Sequence, residues 1–250
     1  MAQTAAWAAE ITEGRGYVLI PDLVSPSALA AARARLLEAA ACQPNHHQRQ
    51  RLYGLIYQDP LFANLAAQPQ VLAVIEAILG RDLVLGGFSA HVLHPGAGRM
   101  GIHVDYPYWA MPDPLPAQPI LEVQTIWLLE DFTAENGAPY FVPGSQRWCC
   151  RPEPEKFAAL AEQITGPAGS VLISHGLAWH DTGENRSAQP RLSLLGNYTP
   201  KFIQPLEDNG YGFEPQAAAA FSPRLKQLLR FALKPALEPI YLMSAPGGPS

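Results

Sequence analysis

The chain reads as a mainly β protein, a double-stranded β-helix or jelly roll with α-helices flanking it on its N-terminal and C-terminal sides. Three observations predict this. From Leu83 onward, short runs rich in β-branched and aromatic residues follow one another, LVLGGFSAHVL, RMGIHVDYPYW, LEVQTIWLLEDF, PYFVPGS, GSVLISHGLAW and RLSLLGNYT, split by Gly and Pro at turn spacing. Before them, and again after them, apolar residues recur at helical spacing. A length of 250 residues with 48% hydrophobic and 16% charged residues suits one large globular domain. The expected layout is a single domain, 1–250, with a helical part over about 1–80, a jelly-roll core over about 83–203 and a C-terminal extension over about 204–250.

Gly16 to Ile20, closed by Pro21-Asp22, reads as an opening strand. Ser25-Pro26 then offers an N-cap followed by proline at the first helical position, and Leu29, Ala32, Leu36, Leu37 and Ala40 continue with helical spacing. The polar run QPNHHQRQR, with His46 and His47, reads as a solvated connection. Between Pro60 and Gly80 the apolar residues support one or two further helices, with Gly80 as C-cap. Among the strands, Tyr106 to Pro119 holds five prolines and cannot pair centrally, so it is expected to be a long loop of the kind that acts as a lid. Asn136-Gly137 and Pro143-Gly144-Ser145 read as turn devices around the strand PYF. Pro215 to Leu233 reads as helical with a restart at Ser222-Pro223, and the tail APGGPS as frayed.

The formal charge of −5 comes without a basic block, so a nucleic-acid partner lacks its electrostatic footprint and a small-molecule substrate fits better. The first residues do not read as a signal peptide, and no apolar run is expected to approach the roughly 20 residues that span a bilayer, so no membrane partner is expected. Cys42, Cys149 and Cys150 suit neither a disulfide framework nor a zinc spacing; reduced thiols in a cytoplasmic protein are the expectation.

His103 and Asp105 stand two apart in GIHVD, a segment read as a strand, so both side chains project to one face. A third ligand must come from elsewhere, and His180, at the end of another expected strand, can supply it. Two histidines and a carboxylate form the facial triad of non-haem iron(II) oxygenases, which leaves coordination positions open. His175 is the rival, but the odd spacing from His180 puts the two on opposite faces of a regular strand. Arg191 lies eleven residues beyond His180. If those two strands pair as a hairpin, its guanidinium points in beside the metal and asks for a carboxylate. His91 and His94 read as hydrogen-bonding or packing residues.

The segments ITEGRGYVLIPDLVSPSAL, LGGFSAHVLHPGAG before GIHVD, EDFTAENGAPYFVPGSQ and GPAGSVLISHGLAWHDTGENRSAQPR together resemble the phytanoyl-CoA dioxygenase superfamily of iron(II)- and 2-oxoglutarate-dependent oxygenases. The resemblance covers nearly the whole chain. It implies a cupin-like jelly roll with His103, Asp105 and His180 on iron(II), Arg191 on the distal carboxylate of 2-oxoglutarate, and Thr182 assisting that arginine. It also implies oxygen as the third reactant, with succinate and carbon dioxide released. Members similar to this chain carry glutamine three residues before the first ligand, where Met100 stands here; Gln124 can supply an amide to the co-substrate instead. In similar halogenases the carboxylate is replaced by a small residue. Asp105 is retained, so hydroxylation is the default, with desaturation, epimerisation and ring closure as alternatives.

Tyr106, Tyr108 and Trp109 follow the carboxylate directly and are expected to wall the substrate site. Only scattered basic residues such as Arg99 and Lys201 stand near the expected mouth, which favours a small amino-acid-like or natural-product substrate over a CoA thioester. A non-catalytic cupin-like binding protein and a zinc hydrolase are the competing classes. A structural site has no need of Arg191 beside open coordination positions, and a hydrolase needs neither 2-oxoglutarate nor oxygen.

Overall fold

The computed structural model describes residues 2–231. Its elements are α1 (Ala2–Thr12), β1 (Tyr17–Ile20), α2 (Pro26–Ala41), β2 (Arg49–Leu52), α3 (Leu55–Gln58), α4 (Pro60–Ala66) and α5 (Pro69–Leu79) in the first third of the chain. There follow β3 (Leu83–Leu93), β4 (Val123–Leu128), β5 (Tyr140–Phe141), α6 (Pro154–Leu160), β6 (Glu162–Gln163), β7 (Val171–His175), β8 (His180–Asp181) and β9 (Arg191–Pro200), then α7 (Pro215–Ala220) and α8 (Pro223–Leu228). Five helices begin with one device: the side chain of Ser25, Asp59, Gln68, Glu214 or Ser222 accepts a backbone N–H of the first turn, and a proline occupies that turn. The restart expected at Ser222-Pro223 is thus present, while the end of that helical stretch beyond residue 231 and the tail APGGPS lie outside the described residues.

The strands form a jelly roll of two antiparallel sheets. The larger has the order β1-β7-β4-β9-β3-β2 and the smaller β6-β5-β8. Val123, Trp127, Ile173 and Leu194 on one face of the large sheet pack with Leu36, Phe62, Val74 and Ile75 of the helices. Ile126, Leu128 and Leu172 on the other face meet Phe132 and Phe141 between the sheets. Every residue of β3 is buried because both its faces are covered.

The structure departs from the sequence expectation in six places. α1, with Ala8 and Ile11 buried, adds a helix to a segment given no element. The run read as a solvated connection contributes β2, which closes the edge of the large sheet on β3; Gln50 and Leu52 are buried while Arg49 and Arg51 take the other face. The Gln50 amide is held by the carbonyls of Ala40 and Gln43, so the polar composition concealed a strand whose buried amide is satisfied. The opening strand is present as β1, and with β2 it joins the large sheet, so the jelly roll reaches back beyond the core expected over about 83–203. The stretch Pro60–Leu79, by length and composition, is apolar enough to cross a membrane, against the expectation that none approaches this. It folds as two helices broken between Ala66 and Pro69 and packed on the core.

The GIHVD segment is a single β-bridge, His103 to His180, instead of a full strand. The proline-rich loop is tied down rather than free. Arg151 donates to the carbonyls of Trp109 and Met111, and Leu115 is buried with its N–H on the Cys149 carbonyl. Within it, Tyr108 is completely buried, and its hydroxyl accepts the Leu121 N–H at 2.8 Å. These anchors make the loop a wall more than a lid.

Candidate metal centre

His103 and His180 exchange both backbone hydrogen bonds across their bridge, at 3.0 and 3.1 Å, which sets their rings on one side with centroids 4.2 Å apart. The Asp105 N–H is fixed on the Gly176 carbonyl, which brings its carboxylate to the same place. The ligand atoms of His103, Asp105 and His180 lie within 4.8 Å of one another, close enough for one ion. His175 is elsewhere. Its Nδ1 accepts the Leu177 N–H, its ring stacks on Tyr108, and burial lowers its pKa to about 4.

The donor set is prepared for a cation. His103 Nδ1–H donates to the Gly101 carbonyl at 2.7 Å and His180 Nδ1–H to the Ala178 carbonyl at 2.9 Å, so each ring turns a bare Nε2 inward. Burial holds His180 below the usual imidazole range, partly opposed by the negative charge of Asp105, which keeps it the neutral ligand a metal needs. The Gln124 amide donates to Asp105 Oδ1 at 2.9 Å, whereas Oδ2 is buried with no partner. A buried carboxylate oxygen without a partner is costly unless a cation is there to take it. The residues therefore fit a divalent metal.

Gln124 accordingly holds the carboxylate instead of reaching past it. Gln124→Leu is expected to weaken divalent-metal affinity by roughly tenfold, the usual effect of losing a group that orients a ligand. Metal titration of the variant against wild type checks this.

Arg191 is buried, and it lines the same cleft as the three ligands. The hairpin expected between its strand and that of His180 does not form. β8 pairs with β5 in the small sheet and β9 with β3 and β4 in the large one, so the two residues face each other across the barrel. The crossing segment is held by Asn185, whose amide donates to the carbonyls of Leu93 and Gln189. The guanidinium lies 4.4 Å over the Phe132 ring and donates to the Gly137 carbonyl, while its Nε is buried without a partner. Gly137 is more than a turn device: at φ +87° a Cβ there would stand 2.5 Å from the Leu93 side chain. Burial brings Arg191 down to about 10, with Glu130 opposing and Arg49 reinforcing the shift, so it is cationic at neutral pH. A buried, charged fork with a free edge has the chemistry to receive a carboxylate.

Of the other expected site residues, Thr182 lines the cleft, but its hydroxyl meets Met100 Sδ at 3.8 Å and makes no hydrogen bond to Arg191. Tyr106 and Trp109 line it; Tyr108 does not, because its ring is consumed in packing against Leu115, Leu121 and Trp179. His94 bonds Gln50, as expected of a structural histidine, whereas His91 opens on the cleft, held well below its usual pKa by burial and by Arg191, Arg51 and Arg49. Arg99 and Lys201 are engaged with Asp181 and Asp82.

Two supporting carboxylates escaped the sequence. Asp181 is buried, accepts the N–H groups of Met100 and Gly101 and pairs with Arg99, which fixes the approach to His103. Glu122 is buried beside Asn197, and burial together with Asp105 raises its pKa well above the carboxylate range. The only sequence signal for Asp181 is its position directly after His180; Glu122 carries none.

Comparison with known proteins adds a lineage. A family model described as phytanoyl-CoA dioxygenase (PhyH) matches residues 12–193. The dioxygenase af480 of Aspergillus fumigatus is 28% identical over 228 residues, covering 86% of this chain and 73% of that protein. Among solved structures, the epimerase SnoN in complex with Fe3+, alpha-ketoglutarate and nogalamycin RO superposes with a TM-score of 0.66 at 20% identity, covering 79% of this chain and 84% of that one. HygX from Streptomyces hygroscopicus, with nickel and 2-oxoglutarate bound, gives 0.67 at 17% identity, covering 80% and 88%.

Proposed function

The chain belongs to the phytanoyl-CoA dioxygenase family, and on that premise we propose that it is an iron(II)- and 2-oxoglutarate-dependent oxygenase that hydroxylates an unactivated C–H bond of a small molecule, amino-acid-like or a secondary metabolite. The observation that carries this reading is the pairing of a prepared ligand triad with a buried arginine that makes no ion pair among the described residues, in one cleft of about 220 Å3. His103, Asp105 and His180 would hold iron(II), and Arg191 would take the distal carboxylate of 2-oxoglutarate. Dioxygen would be the oxidant, activated at the metal with two electrons from the 2-oxo acid, which leaves as succinate and carbon dioxide.

The protein's own part is geometric. The carbonyls of Gly101 and Ala178 fix the imidazole tautomers, Gln124 fixes the carboxylate, and Phe132 and Gly137 fix the guanidinium. Ile126 and Phe132 give the cleft an apolar lining, which strengthens the Arg191–carboxylate attraction by excluding water. Tyr106 and Trp109 stand on its rim, where they would shield the reacting centre. A second reading, epimerisation, is favoured by the structural likeness to SnoN.

Incubation with iron(II), 2-oxoglutarate and oxygen is expected to give succinate in proportion to the 2-oxoglutarate consumed. With a substrate found by metabolite screening, hydroxylation adds one oxygen atom to the product, epimerisation changes no mass, and desaturation or ring closure removes two hydrogens. Consumption of neither 2-oxoglutarate nor oxygen by iron-loaded protein would refute the oxygenase reading.

A further inference from the structure

Beside the metal cleft lies a larger cavity of about 540 Å3, and the two share Arg51 and Leu206 in their walls. The metal cleft alone falls below the roughly 300–1,000 Å3 of ordinary small-molecule sites, and 2-oxoglutarate would take most of it. The body of a prime substrate must therefore lie next door.

That neighbouring cavity is built for an aromatic body. Its floor includes Leu85 and Phe88, and its walls include Tyr53, Tyr57 and Tyr211. Tyr53 and Tyr211 are exposed and meet edge to face, with centroids 6.3 Å apart. The wall carrying Tyr211 is pinned in place. Both Glu207 oxygens are occupied, one by the Phe88 N–H at 3.0 Å and one by the Ser89 hydroxyl at 2.6 Å, and the Tyr57 hydroxyl donates to the Asn209 carbonyl. The β-bulge between Leu85 and Gly87 makes room for this, since a Cβ on Gly87 would stand 2.7 Å from the Glu207 carboxyl carbon. A cavity held open by such bonds loses little entropy on filling.

At the joint between the two spaces stands Arg51, half-buried on β2, with no side-chain hydrogen bond or ion pair among the described residues. Glu207 is saturated by Phe88 and Ser89, and Asp208 accepts the Gly210 N–H and makes no ion pair with Arg51. A half-desolvated guanidinium that pairs with neither neighbouring carboxylate keeps its donors free for an anion.

Building on the oxygenase reading, we propose that the prime substrate is an aromatic or polycyclic carboxylic acid whose carboxylate is held by Arg51 and whose ring system lies in the larger cavity against the touching pair Tyr53 and Tyr211. The C–H bond to be oxidised then lies on the part that reaches from Arg51 toward His103, Asp105 and His180.

The test compares 2-naphthoate with its neutral analogue 2-naphthamide by calorimetric titration of protein loaded with nickel(II) and saturating 2-oxoglutarate, so that Arg191 is occupied. Wild type is expected to prefer the naphthoate by about tenfold or more, as a charge-assisted pair would give. Arg51→Gln should abolish the preference and Arg51→Lys restore part of it, which separates lost charge from lost fold. Tyr211→Ala should weaken both probes by roughly threefold to tenfold. The inference is overturned by equal binding of the two probes, by no saturable binding at millimolar concentration, or by a preference that persists in Arg51→Gln. It is also overturned if Arg51→Gln lowers 2-oxoglutarate affinity as much as naphthoate affinity, which would place Arg51 in the co-substrate site. The preceding nickel and 2-oxoglutarate titrations of wild type test the oxygenase reading separately.

Discussion

Asp105→Ala and His180→Ala proteins are expected to fold normally and to show no 2-oxoglutarate turnover above background. Each substitution removes one of the three candidate ligands brought together among the described residues, and the loss of metal affinity should exceed the roughly 100-fold that marks the loss of a group merely supporting a ligand. The fold should survive because the core is made elsewhere: the large sheet packs on the helices through Val123, Trp127, Ile173 and Leu194, none of which touches the site. His175→Ala provides the contrast. It deletes a ring packed against Tyr108 and should cost stability while leaving the metal centre assembled. Succinate formation, metal content and a urea melt on the three proteins check these outcomes together.

Arg191→Ala should leave metal affinity close to wild type and weaken 2-oxoglutarate by about 2 to 5 kcal/mol, the range seen when one partner of a buried charge-assisted pair is removed. The expectation rests on three features of the site: the guanidinium is buried, its charge survives at neutral pH, and among the described residues it makes no ion pair, contacting the Phe132 ring and the Gly137 carbonyl with Glu130 acting only from a distance. Arg191→Lys should recover only part, because an ammonium neither spreads over the Phe132 ring nor offers a planar fork. An affinity within twofold of wild type in Arg191→Ala, measured by titration of the metal-loaded protein, would contradict the assignment.

The parts of this molecule legible in its sequence are those fixed by short-range chemistry. Ser25-Pro26 and Ser222-Pro223 announce helix starts because cap and proline act within one turn. His103 and Asp105 fall together because their spacing does, and Arg191, singled out by its residue type and its distance from His180, lines the same cleft although the hairpin expected to place it does not form. The parts that were not legible depend on where the chain crosses between sheets. The pairing of β8 with β5 instead of β9 is decided by Asn185 anchoring the crossing to Leu93, a contact between residues far apart in sequence. Arg51 and Gln50 sit in a run whose composition suits a loop; only pairing with β3 turns their alternation into one buried and one cleft-facing position. Tyr108 and Trp109, adjacent and both aromatic, take opposite fates because the short 3-10 turn at Tyr108–Ala110 buries one and exposes the other. Asp181 and Glu122 show the same limit, since a carboxylate gives no sign in sequence of whether it will be buried behind a site.

In the proposed oxygenase, His103, Asp105 and His180 form an iron site that chelates 2-oxoglutarate beside Arg191. Anaerobic titration of the iron(II)-loaded protein with 2-oxoglutarate tests it most directly, by the visible metal-to-ligand charge-transfer band of a chelated 2-oxo acid. The band is expected to appear at one equivalent in wild type, to persist in His175→Ala and to be absent in His180→Ala. No band in wild type, or a band that survives in His180→Ala and vanishes in His175→Ala, would contradict it.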